Sequence, residues 1–128
     1  GGVGDLRVRV PARAVSGAIR GLLKNAQQAG GEVELSATSS SGRLRIQIAD
    51  RGCGMPPEVL ARAGEPFFTT KPPGQGMGLG LFLARAVAQR LGGELRIHSA
   101  PGAGTTATLD LPTNLDAGPG ANNLRMGR

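Results

Sequence analysis

The chain has 128 residues, 39% apolar and 19% charged, with 15 Lys plus Arg against 9 Asp plus Glu and a formal net charge of +6. That length suits one globular domain with a single core, and the lone cysteine, Cys53, excludes an internal disulfide and suits a reducing, cytoplasmic setting. No apolar run approaches the ~20 residues of a membrane span, nothing resembles a signal peptide, and the basic residues are scattered with no Trp or Tyr to stack bases, so neither a membrane segment nor a nucleic-acid partner is expected.

Along the chain, DLRVRVP (5–11) alternates apolar and charged residues and reads as a strand. Pro11 then opens a helix to about Ala29, with Val15, Ile19, Leu22, Leu23 and Ala26 as its apolar stripe and Gly30 and Gly31 as its stop. EVELSAT and RLRIQIAD follow as a hairpin joined by a Ser/Gly turn. RGCGMPP is a turn leading into a short helix around residues 57–63. Residues 64–79 are rich in Gly and Pro without apolar periodicity, and a loop of that length inside a domain is usually functional. Leu81, Ala84, Val87, Ala88 and Leu91 mark a further helix closed by Gly92 and Gly93, and ELRIHS and TTATLDLP are two more strands around PGAG. Residues 113–128 are expected to be a disordered tail after a domain of residues 1–112.

Strand alternation assigns faces. Val33 with Leu35, Leu44 with Ile46 and Ile48, Leu95 with Ile97, and Ala107 with Leu109 and Leu111 share the inner side. Arg7, Arg9, Glu32, Glu34, Arg43, Arg45, Glu94 and Arg96 take the other, most simply a solvated face. The expected fold is an α/β two-layer sandwich, its mixed, mostly antiparallel sheet covered on one face by about three helices.

Three features carry chemistry. The glycines at Gly76, Gly78 and Gly80 are spaced GxGxG, which fits neither the GxxxxGK[ST] loop nor GxGxxG. They nonetheless lie at a helix N-terminus, where unpaired amides favour an anion, and a flexible connector is the alternative. Asp50 has the parity of Ile46 and Ile48 and so points a carboxylate to the apolar side. It either closes an Asx-turn on the amides of residues 52 and 53 or accepts a hydrogen bond from a ligand, with Gly52 and Gly54 clearing the way for a flat base. Asn25 lies in a helix interior that disfavours Asn. It either faces solvent or offers a hard oxygen to Mg²⁺.

Taken in order, LLKNAQQA (22–29), DRGCGMP (50–56), FFTTK (67–71), GMGLGL (76–81) and GAGTTATLDLP (102–112) resemble the N, G1, F, G2 and G3 boxes of sensor histidine kinases, within the superfamily of gyrase, heat-shock chaperone, histidine kinase and MutL ATP-binding domains. The glycine in the N box and the text GMGLGLFLARAVAQRLGG look most like redox-responsive kinases of the RegB/PrrB type. The resemblance implies a Bergerat ATP-binding fold and assigns Asp50 to the adenine amino group, with Gly52 and Gly54 lining the base. It assigns Asn25 to Mg²⁺, and Phe67, Phe68, Thr70, Lys71, Gly76, Gly78, Leu79, Gly80 and Leu81 to an ATP lid, Lys71 and the glycine amides positioning phosphate. Thr105 matches a threonine near the adenine.

Two positions depart from the pattern. Gly21 stands where many family members have Asn and where gyrase-like relatives place a water-activating Glu, and Gln28 stands where a basic residue is common. Fast hydrolysis is therefore not expected. His98, the only histidine, falls on the wet face, so the phosphoacceptor is expected on a separate dimerisation domain, with a response regulator downstream. An anti-sigma-type serine kinase and a gyrase-like ATPase are the alternatives. Cys53 is either a small filler between two glycines or a redox-sensitive group in the G1 turn.

Overall fold

The computed structural model describes residues 6–65, 80–113 and 122–126, and for 6–9 and 122–126 only the backbone. The elements in chain order are β1 (Leu6–Val10), α1 (Ala12–Ala29), β2 (Val33–Ser40), β3 (Arg43–Asp50), α2 (Pro57–Leu60), α3 (Gly80–Arg90), β4 (Glu94–Ser99), β5 (Thr105–Pro112) and β6 (Asn122–Met126).

Local chemistry accounts for most boundaries. Pro11 precedes the first turn of α1 in an extended conformation, and Gly30 and Gly31 leave the helix at φ 86° and 77°. The β2–β3 turn is Ser41–Gly42, both at positive φ (54° and 74°), the hand that matches the twist of a two-residue hairpin. At the end of α3 the Gly93 amide donates to Ala88 and the Gly92 amide to Gln89, a Schellman closure with Gly92 at φ 81°.

Strands β2-β3-β5-β4 form one antiparallel sheet, and β1 pairs separately with β6. All pairings among the described residues are antiparallel, so the parallel component of the expected mixed sheet does not occur there. Val15, Ala18, Ile19, Leu22 and Ala26 of α1 and Ala84 and Ala88 of α3 are buried with Leu44, Ile46, Ile48, Leu95, Ala107, Leu109 and Leu111 of the sheet. Small Ala side chains on α3 let it lie close to both α1 and β4.

Three expectations need correction. Leu35 lies on the inner face opposite Ile48, yet it is 41% exposed. β2 is an edge strand, and the helices lie mainly over other strands, α1 over β3 and α3 over β4. The helix expected at 57–63 is shorter, Pro57–Leu60, and continues as turns through Gly64. The tail expected to be disordered contains β6, whose backbone gives β1 its partner, Leu6 opposite Met126 through Val10 opposite Asn122.

The wet face also differs from a simple solvated surface. Asp110 is only 6% exposed because Arg43, Arg45 and Arg96 lie over it. Arg43 donates from Nε to Oδ1 at 2.9 Å and Arg45 from Nη2 to Oδ2 at 3.2 Å. Burial alone raises the Asp110 pKa, but hydrogen bonds from Arg43 and Arg45 and their charges outweigh it and hold the carboxyl below its usual 3.8.

Candidate functional site

The register of the four strands makes the inner face a stack of cross-strand rows. Ala37, Ile46, Leu109 and Leu95 form one row, and Leu35, Ile48, Ala107 and Ile97 the next. The row after that, at the end of the sheet, is Val33, Asp50, Thr105 and Ser99. Three polar side chains thus stand together where the apolar rows end, on the side that faces the helices.

Each of the three is held by neighbours. Asp50 is 7% exposed, and its Oδ1 accepts from the Gly52 amide at 2.9 Å, the Asx-turn half of the two readings of this residue. Ser99 Oγ accepts from the Met55 amide at 2.8 Å, donates to the Gly104 carbonyl at 3.0 Å and lies 2.8 Å from Thr105 Oγ1. The G1 turn, the β4–β5 turn and Thr105 therefore meet on one hydroxyl. Ser99 escaped notice in the sequence, although its parity with Leu95 and Ile97 puts it on the inner face.

The glycines around this row are required by packing. A Cβ on Gly52 would meet the Ala29 carbonyl and side chain, and one on Gly54, at φ 72°, would overlap the Ala100 carbonyl. One on Gly104, at φ 73°, would overlap the Asp50 carbonyl. The missing side chains of Gly52 and Gly54 make room for the neighbouring Ala29 and Ala100 backbone. They allow the G1 turn to be clamped between the end of α1 and the β4–β5 turn, with Gly102 N also bonded to Cys53 O at 2.7 Å. Cys53 itself is exposed, so it is not a filler.

A second cluster sits at the α1–α3 contact. Gly21 faces the backbone of Gly80, and the Asn25 amide lies beside Gly80, 3.2 Å from Nδ2 and 3.3 Å from Oδ1 to where a Cβ would stand. Asn25 is half-buried, and it shares the first helical turn of α3 as its neighbour. One turn further along α1, about 6 Å by helix rise, Ala29 packs on Gly52. The last two turns of α1 therefore link the Asp50 row to the first described turn of α3, a helix end of the kind that favours an anion. Leu81 is half-buried against the core in the same turn.

Of the residues assigned in the sequence, Asp50, Gly52, Gly54 and Thr105 come together at one end, and Asn25, Gly80 and Leu81 at the other. Phe67, Phe68, Thr70, Lys71, Gly76, Gly78 and Leu79 lie outside the described residues. His98 is exposed, as its place on the outer face requires. No group of three or more His, Cys, Asp or Glu suited to a metal occurs among the described residues, and no helix among them is long and apolar enough to cross a membrane.

Comparison with known proteins agrees with this geometry. Residues 11–115 match the family described as histidine kinase-, DNA gyrase B- and HSP90-like ATPase. The chain is 41% identical to the histidine protein kinase DivJ of Caulobacter vibrioides, covering 88% of this chain and 20% of that protein. It is 48% identical to the sensor protein kinase FleS of Pseudomonas aeruginosa, covering 75% and 24%. It thus spans about a fifth to a quarter of the length of these relatives. Among solved structures, the mycobacterial sensor histidine kinase MprB superposes with a TM-score of 0.67 at 30% identity, over 78% of this chain and 70% of that one. The narrower likeness to RegB/PrrB kinases rests on the N box and lid text alone. A two-layer fold with an ATPase family's motifs at the ends of α1, β3 and β5 leads to one conclusion: the chain belongs to the histidine kinase-, DNA gyrase B- and HSP90-like ATPase family, and within it is similar to the ATPase part of sensor histidine kinases.

Proposed function

We propose that this domain binds Mg·ATP and presents the γ-phosphate to a histidine on a separate dimerisation domain of the same cytoplasmic kinase, from which a response regulator takes it. The observation that carries this reading is the spatial order of the site. A buried carboxylate acceptor, Asp50, stands at one end of α1's last two turns, and an amide oxygen beside a helix N-terminus, Asn25 at Gly80, stands at the other. A nucleotide laid along that line puts its base at Asp50 and its phosphates at the α3 amides; Lys71 and the lid glycines, assigned to phosphate by the family resemblance, lie outside the described residues.

The residues present fit a magnesium ion. Asn25 supplies a neutral hard oxygen, which suits an ion that keeps several waters and takes its remaining ligands from phosphates. When bound, the ion neutralises phosphate charge. The chain's own part is positional: Asp50 fixes the base, Asn25 and the α3 amides fix the phosphate end, and the transfer relies on alignment with the incoming histidine. Gly21 offers no side chain to activate water beside Gly80, so hydrolysis is slow compared with transfer.

The reading is tested by titrating ATP and GTP with and without Mg²⁺ into wild type, Asp50→Asn and Asn25→Ala. A charge-assisted bond at Asp50 is worth about 1.5 to 3 kcal/mol, so ATP should be preferred over GTP by roughly ten-fold or more, and Asp50→Asn should remove most of that. Asn25→Ala should weaken binding only when Mg²⁺ is present. Equal affinity for both bases, or no phosphoryl transfer in trans to the kinase's own dimerisation domain, would overturn it. Transfer to a serine of a partner protein, or rapid turnover by the domain alone, would favour the serine-kinase or gyrase-like alternative.

A further inference from the structure

The base-reading half of the proposed site contains a hydroxyl with no assigned role. Ser99 Oγ has one proton and three polar neighbours: the Met55 amide, the Gly104 carbonyl and Thr105 Oγ1. The Met55 amide can only donate and the Gly104 carbonyl can only accept. The Ser99 proton therefore goes to Gly104, and the 2.8 Å contact with Thr105 requires the Thr105 proton. Ser99 is then fully used, with one bond donated and two accepted.

This inventory sets the polarity of Thr105. With its proton committed to Ser99, its oxygen has only lone pairs left to offer elsewhere. Its cross-strand neighbour on the other side is Asp50, whose Oδ1 accepts from the Gly52 amide and whose carboxylate oxygens serve as acceptors. We infer that Ser99 is a specificity-determining positioning residue: by taking the Thr105 proton it makes the Asp50–Thr105 pair acceptor-only, so that the site selects a base carrying a donor at the purine 6-position and rejects a 6-oxo base.

The inference rests on the placement of the base at Asp50. It adds that the selectivity depends on a residue one strand further away. A purely structural role predicts something different. Ser99 also ties the G1 turn to the β4–β5 turn, and loss of that tie alone would weaken all nucleotides alike. Loss of the proton sink would release the Thr105 hydroxyl to donate to a 6-oxo group, and so would alter the ratio between bases.

The experiment measures dissociation constants of ATP and inosine triphosphate for wild type, Ser99→Ala, Ser99→Thr and Asp50→Asn. Inosine carries a 6-oxo acceptor in place of the amino donor. Ser99→Ala should lower the ATP-over-inosine preference on the order of ten-fold, and Ser99→Thr, which keeps the hydroxyl, should retain it. Should Ser99→Ala not fold, Ser99→Cys, with its weak donor and acceptor, carries the same expectation. A parallel loss for both nucleotides in Ser99→Ala, with Asp50→Asn still altering the ratio, would overturn the role of Ser99 and leave the base reading standing. A ratio unmoved by either substitution would overturn both.

Discussion

Replacing Asp110 with Asn isolates the charge cluster on the outer face. The amide keeps the side chain's shape and leaves Arg43, Arg45 and Arg96 around a neutral group. A hydrogen bond to a charged group is worth about 1.5 to 3 kcal/mol when desolvated, but exposed ion pairs fall to about 0 to 1. The three arginine side chains are 47%, 52% and 47% exposed and Asp110 is 9%, which places each close pair in between. Taking about 1 kcal/mol each for Arg43 and Arg45, plus repulsion among three unneutralised guanidiniums, the loss is about 2 to 3 kcal/mol. For a domain of this size that is a fall in Tm of roughly 10 °C. The folded pKa of Asp110 lies below the unfolded one, so its stabilisation is fully present above the usual 3.8 and is lost as pH falls through the lower folded value. Thermal unfolding followed by circular dichroism should show a constant gap between wild type and variant from pH 7 down to about 5, closing only below the ordinary carboxylate range. ATP affinity should be unchanged, because Asp110 and Asp50 face opposite sides of the sheet. A Tm within 2 °C of wild type at pH 7, on the order of the smallest shift such pairs give, would refute the reasoning.

The glycines make two further predictions of opposite sign. Gly104→Ala places a Cβ onto the Asp50 carbonyl at a positive φ, so it should destabilise the domain by about 2 to 4 kcal/mol in urea unfolding and weaken ATP binding as Asp50 shifts. Gly21→Ala meets only ordinary contact distances, 3.4 Å to the Gly80 carbonyl, in the middle of a helix. It should raise stability by about 0.5 to 1 kcal/mol, and a loss there would mean that α1 and α3 approach more closely than described.

What was legible in the sequence was what short-range patterns determine. The helix stripe from Val15 to Ala26, the Ser41–Gly42 hairpin and the closure of α3 at Gly92–Gly93 each follow from residues within one turn of each other. The inner strand face followed from parity, except at Leu35, because parity gives a side and says nothing of whether a helix reaches the edge strand. Asp110 was missed for a related reason. It alternates with Leu109 and Leu111 and so lies on the outer face, but its burial comes from arginines on β3 and β4, and only the strand order β2-β3-β5-β4 brings them over it. β6 carried no pattern of its own beyond a backbone able to pair with β1.

The site divides along the same line. Asp50 was readable because it breaks an apolar face at a strand end, and Asn25 because it stands in a helix interior; Thr105 was reached only through the family resemblance. That they form one row required the register, which no single strand reveals. Ser99 broke the face of β4 in the same way, and it passed unnoticed because a serine at a strand end is ordinary beside a turn. The packing need at Gly52 and Gly54, whose Cβ directions lead into Ala29 and Ala100, comes from chain segments distant in sequence and has no local pattern. The Asp50 end of the sheet is built by turns drawn tightly against one another. If the base lies there as proposed, its selectivity will depend on the hydroxyl and amide bonds between those turns as much as on the Asp50 carboxylate.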